Sequence, residues 1–107
     1  MLLKEAHQIW ECNVSDITMV RAASVYYEVH LYGGQVAMVR EPLQGWEARL
    51  PSTFLRIHRS FLVNRSYFQA LSMKGRRWYV RLGGSPELLA VSRRLATSIR
   101  EQLAIAE

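Results

Sequence analysis

Hydrophobic and polar positions alternate with a period of two along much of the chain, which predicts many short strands and little helix. The alternation is clearest where Val25, Tyr27, Val29 and Leu31 interleave with Tyr26, Glu28, His30 and Tyr32, the pattern of a half-buried strand. Gly33 and Gly34 follow as a hairpin turn, and residues 35–39 form the returning strand. Upstream, residues 8–14 read as a first strand, and residues 17–22 as a second opened by the turn-forming pair Ser15 and Asp16. Downstream, residues 67–73 and 77–82 read as strands around a turn of Lys74, Gly75 and Arg76, with Trp78, Val80 and Leu82 on one face. A turn at 83–86 leads to a strand at 87–91.

Two segments follow a helical period instead. Residues 42–50 place Leu43, Trp46 and Leu50 on one side, with Pro42 suited to the first helical position and Pro51 ending the run. Gly45 weakens that helix by about 1 kcal/mol relative to alanine. Ser92 caps a final helix running to about Ala104, with Leu95, Ile99 and Leu103 in a single stripe. Between the two helices, the apolar runs 54–57 and 61–63 enclose the polar interruption His58-Arg59-Ser60. That pattern puts Ile57, Phe61 and Val63 in the core and leaves Arg59 exposed between them. The expected architecture is one mostly β domain, residues 1–107, with short helices.

Composition narrows the function. Half of the 107 residues are hydrophobic, enough for a modest single core, and no apolar run could span a bilayer. Only Leu2 and Leu3 precede Lys4, too little for a signal peptide, so the expected compartment is the cytoplasm. Cys12 is the single cysteine and can form no internal disulfide. His7, His30 and His58 show no metal-ligand spacing with Cys12. Neither Gly33-Gly34 nor Gly83-Gly84 is followed by a P-loop lysine and hydroxyl. Neither an enzyme nor a cofactor is therefore expected.

The net charge of +5 is unevenly spread. Residues 1–55 carry four basic side chains against six acidic ones, whereas residues 56–100 carry ten basic ones against Glu87 alone. That asymmetry is the footprint of a polyanionic partner. Nine of those ten are arginines, whose planar fork suits phosphate and guanine edges.

The run Phe54-Leu55-Arg56-Ile57-His58-Arg59-Ser60-Phe61-Leu62-Val63-Asn64 resembles the signature of the LytTR DNA-binding family, an aromatic-x-Arg-Ile-His-Arg-Ser-aromatic-x-Val-Asn series. Asp16-Ile17, the strand from Tyr26 to His30, Gly34, the segment from Leu43 to Leu50 and the closing Val91-Ser92-Arg93-Arg94 also match the family. The resemblance covers about residues 14–104, with Gly45 and Trp46 departing from the usual helix. It implies an elongated fold of small packed antiparallel sheets with a short internal helix and a C-terminal helix. It also implies a bacterial transcription regulator whose loops read successive major grooves of duplex DNA at paired direct repeats.

The resemblance assigns base contact to Arg59, whose alternative role is a structural one paired with a backbone carbonyl, and DNA contact to Arg93. It aligns Tyr26 with the strand position from which the family contacts DNA in its first loop region, with Tyr27 taking the outward face instead if the strand phase shifts by one. Arg94 either shares the role of Arg93 or is solvated. Lys74, Arg76 and Arg77 suit phosphate as a basic turn, if they are not merely solvated. His58 and Asn64 are expected to be scaffold, Asn64 through a left-handed turn or bonds to its own backbone. An RNA-binding or protein-interaction module is the alternative reading, with Tyr26, Tyr67 and Tyr79 as its aromatic candidates. The module fills the chain, so a receiver or sensor domain would lie outside it. A dimer on direct-repeat DNA is a further expected assembly.

Overall fold

A computed structural model describes residues 1–104. The N-terminal hairpin pairs β1 (Leu2–Lys4) with β2 (Ile9–Glu11). The central sheet has five antiparallel strands: β3 (Ile17–Ala23), β4 (Tyr26–Leu31), β5 (Val36–Val39), β6 (Phe54–His58) and β7 (Phe61–Asn64). Their spatial order is β5-β4-β3-β7-β6. Helix α1 (Leu43–Arg49) crosses from β5 to β6. A third sheet, in the order β10-β9-β8, contains β8 (Phe68–Lys74), β9 (Arg77–Leu82) and β10 (Leu88–Ala90). Helix α2 (Ala96–Ala104) follows. The molecule is elongated, 42 × 27 × 26 Å, and mostly β, as the hydrophobic alternation predicts.

The central sheet is buried on both sides where β3, β7 and β6 lie. One face packs Val20, Val29, Ala37, Val39, Phe54 and Leu62 against α1 and the N-terminal hairpin, with Leu43, Trp46, Leu50 and Leu3 filling the space. The opposite face packs Met19, Ile57 and Val63 against Val80, Leu82 and Leu89 of the third sheet and against Ile99 and Leu103 of α2. Double burial is why Phe61-Leu62-Val63 is continuously apolar, since consecutive side chains enter opposite cores. A register shift between Ile17 and Met19 lets these two residues, both odd-numbered, enter different cores. The third sheet does not extend over the whole second face. There β4 shows Tyr26, Glu28 and His30, all half-buried.

Several local expectations change. The strand expected at 8–14 shrinks to Ile9–Glu11, because Val14–Asp16 forms a 3-10 turn, and its partner β1 had no signal beyond the buried Leu3. Pro42 stands one position before α1, with extended backbone, and the helix ends where Leu50 leaves helical geometry. All three of its expected core residues are buried. At Gly45 a Cβ would sit 3.1 Å from the Cγ of Glu41, a side chain that would have to shift by a few tenths of an ångström. Lys74 ends β8 and does not belong to the turn, which is Gly75-Arg76 with Gly75 at φ +62°. The Ser92 hydroxyl accepts from the amide of Leu95, but one tighter turn separates it from the α-helix, which starts at Ala96. Asn64 is extended, not left-handed. Phe61 is half-buried, whereas Ile57 and Val63 are fully buried.

Candidate nucleic-acid interface

The candidate readers come from loops that the sheets bring to one end. The β6–β7 hairpin turns through Arg59 and Ser60, because His58 pairs with Phe61. It lies beside the β3–β4 turn, Ser24-Val25, where Ala23 pairs with Tyr26, and the amide of Ala22 donates to the carbonyl of Ser60 at 3.0 Å. On its other side, the amide of Ser92 donates to the carbonyl of Ile57 at 2.8 Å. That bond sets the Arg93-Arg94 turn next to the hairpin. The amide of Val91 donates to the carbonyl of Trp78 at 2.9 Å, which brings the start of β9 and Arg77 to the same end.

Arg59, Arg93 and Arg94 are exposed, as are Lys74 and Arg76 at the tip of the β8–β9 hairpin. Arg77 is half-buried, and its Nε is enclosed with no hydrogen-bond partner among the described residues. It is therefore the least free of the three cations in that basic hairpin. Tyr26 is half-buried and faces away from the core that holds Tyr27. The guanidinium of Arg40 lies over the Tyr26 ring, 5.3 Å from its centroid. Arg40 received no role from the sequence. Counting back from the Gly33-Gly34 turn would have placed it beside Tyr26, because Tyr27 pairs with Val39.

Four of the described acidic residues pair with arginines, among them Glu47 with Arg56 at 3.4 Å. Glu28 and Glu87 both pair with Arg21, at 3.2 and 2.5 Å, and Glu41 pairs with Arg49 at 2.5 Å. His58 is shaped by its surroundings. Burial first, and then the positive charges of Arg77, Arg59 and Arg56, hold its pKa below the ordinary 6.5. The neutral ring accepts the amide of Ser60 on Nδ1 at 3.1 Å and lies 5.2 Å from the Phe61 ring centroid. Asn64 is 2% exposed, donates to the carbonyl of Ile17 at 2.9 Å and accepts from the amide of Ser66 at 2.9 Å.

The exposed arginines at this end suit the cluster to anion binding. Among the described residues no group of histidine, cysteine and carboxylate side chains could hold a metal ion. No helix among them is long and apolar enough to cross a membrane. The model of the LytTr DNA-binding domain family matches residues 7–104. The chain belongs to this family. A search of curated proteins finds no match. Among solved structures, the LytTR domain is similar to the LytTr DNA-binding domain of a Bacillus cereus protein described as a methyl-accepting/DNA response regulator. The TM-score is 0.84 at 24% identity, covering 96% of this chain and 94% of that one. That likeness carries the fold. Membership carries DNA binding as the general function, in a family of binding domains and not of enzymes.

Proposed function

We propose that this LytTR domain binds duplex DNA with sequence preference, as the output module of a bacterial transcription regulator in the cytoplasm. The carrying observation is that Arg59, the β3–β4 hairpin whose turn Tyr26 follows, and the Arg93-Arg94 turn are held together at one end by backbone bonds. Arg59 and Arg93 act as base readers through the bidentate geometry that arginine offers to guanine. Tyr26 and Arg94 flank them. Lys74, Arg76 and, more weakly, Arg77 supply phosphate contacts that position the domain without reading sequence.

The length of 42 Å supports engagement of successive major grooves, which recur roughly every 34–36 Å along one face of B-DNA. Paired direct repeats would be occupied by two copies arranged head to tail, and a receiver or sensor domain elsewhere in the regulator would control occupancy. Selection of bound sequences from random duplex DNA tests the reading. Enrichment of a repeated motif with G positions sensitive to Arg59 and Arg93 is expected. Enrichment of single strands or RNA in a parallel selection, with no duplex motif, would overturn it.

A further inference from the structure

Arg56 lies inside the signature run, yet the DNA reading gives it no task. We infer that Arg56 is a positioning residue that clamps the Arg59-Ser60 turn and fixes the base from which the Arg59 side chain extends. The inference rests on Arg59 being a DNA reader.

Two-residue hairpin connections favour turns with positive φ, because their twist matches that of the flanking strands. The neighbouring β3–β4 turn follows this preference, with Ser24 at φ +60°. Ser24 is the one non-glycine residue with positive φ among the described residues, so Arg59 and Ser60 lack that conformation. The β6–β7 pairing also slips between Arg56 and His58. The turn lacks the favoured positive-φ geometry, and side chains add to the backbone bonds from Ala22 and Ser92 that hold it.

Among the side chains, Arg56 does most of the holding. Its Nε donates to the carbonyl of His58 at 2.9 Å and its Nη2 to the carbonyl of Arg59 at 2.8 Å. A longer contact of 3.4 Å joins Nη1 to Glu47 on α1. The planar fork spans two successive carbonyls, which a single ammonium cannot do in the same geometry. The carbonyls of Ile57 and Ser60 accept from Ser92 and Ala22. All four carbonyls from Ile57 to Ser60 are thereby occupied within the protein. An approaching polyanion meets the exposed Arg59 guanidinium and not a row of free oxygens. The side chain of Arg56 is only 27% exposed and is already engaged by the turn, unlike that of Arg59.

The test uses Arg56→Met, which keeps the stem and loses every donor, and Arg56→Lys, which keeps the charge and loses the fork. In the free protein, hydrogen exchange of the Ser60 amide should accelerate by about tenfold or more in Arg56→Met, which removes both hydrogen bonds from this side chain to the turn. The amides of Val20 and Leu62 should stay as slow as in the wild type. The preference for the selected duplex over a scrambled one should fall by a similar factor in both variants, with the salt dependence of non-specific binding unchanged. Unchanged Ser60 exchange, or full duplex preference in both variants, would overturn the clamp. So would a salt slope flattened by about 0.9 with preference retained, which marks a phosphate contact. Should Arg56→Met fail to fold, Arg56→Lys decides by the same two measurements. A wild-type domain without duplex preference would sink the sequence-specific reading, an Arg59→Ala variant that keeps the preference would remove Arg59 as its reader, and Ser60 exchange would still decide the clamp.

Discussion

Asn64 is the only fully buried polar side chain among the described residues, and its replacement should be costly for a countable reason. Its amide bridges three parts of the chain, since it closes β7, caps the 3-10 turn at Arg65–Tyr67 and reaches Ile17 at the start of β3. Asn64→Ala removes both bonds. The Ile17 carbonyl loses its donor in a buried setting, at a cost of about 1–3 kcal/mol. The Ser66 amide is exposed enough to find water, so the missing cap adds only about 1 kcal/mol. The expected destabilisation is roughly 2–4 kcal/mol, a large share of the ~5–15 kcal/mol available to such a domain. Thermal unfolding followed by circular dichroism should show the midpoint falling by roughly 10–25 °C. Asn64→Asp separates the two bonds. It retains an acceptor for Ser66 but turns a carboxylate oxygen toward the Ile17 carbonyl, so at neutral pH it should rescue little. A shift below about 3 °C for Asn64→Ala, less than 1 kcal/mol, would refute the role given to both bonds. An Asn64→Asp variant as stable as the wild type would show that the Ile17 bond contributes nothing.

Three further outcomes are expected. Arg59→Ala and Arg93→Ala should each weaken binding to the selected duplex by about 1–3 kcal/mol while leaving scrambled DNA nearly unaffected and the melting temperature unchanged; equal losses on both DNAs would move them to the phosphate-contact group. Changing Lys74, Arg76 and Arg77 together to alanine should flatten the slope of log affinity against log salt by about 0.9 for each phosphate no longer neutralised, with Arg77 contributing least because it is half-buried; an unaltered slope would leave this hairpin in solvent. His58, held neutral by burial and by Arg77, Arg59 and Arg56, has a folded pKa below its ordinary 6.5, so the unfolded chain binds the extra proton first. Its contribution is complete above pH 6.5 and is lost as pH falls from there through the depressed folded pKa, so urea midpoints should decline over that window and His58→Gln should lose this component. An identical pH profile in the variant would exclude His58 as the source.

Class and family were legible in the chain before any fold was known. Period-two alternation sets strands, the glycine pairs set turns, and Leu43, Trp46 and Leu50 recur at helical spacing because one helix face must be buried. These are local consequences of backbone geometry, and the signature run from Phe54 to Asn64 is a local string that can be read without a fold. What the string could not say is which of its arginines faces outward. Arg56 and Arg59 are equally polar in sequence, and only the β6–β7 pairing decides that Arg56 folds back onto two carbonyls while Arg59 stands clear. The pairing of Tyr26 with Arg40, the double burial of Phe61-Leu62-Val63 and the meeting of the Arg93 turn with the hairpin likewise depend on contacts between distant segments. Strand β1 escaped notice for the same reason. Its three residues gain their structure from pairing with β2 and from burying Leu3 in a core assembled by the rest of the chain. Local propensity fixes what a segment can become, whereas the side on which each charge emerges is fixed by whichever neighbour the fold supplies.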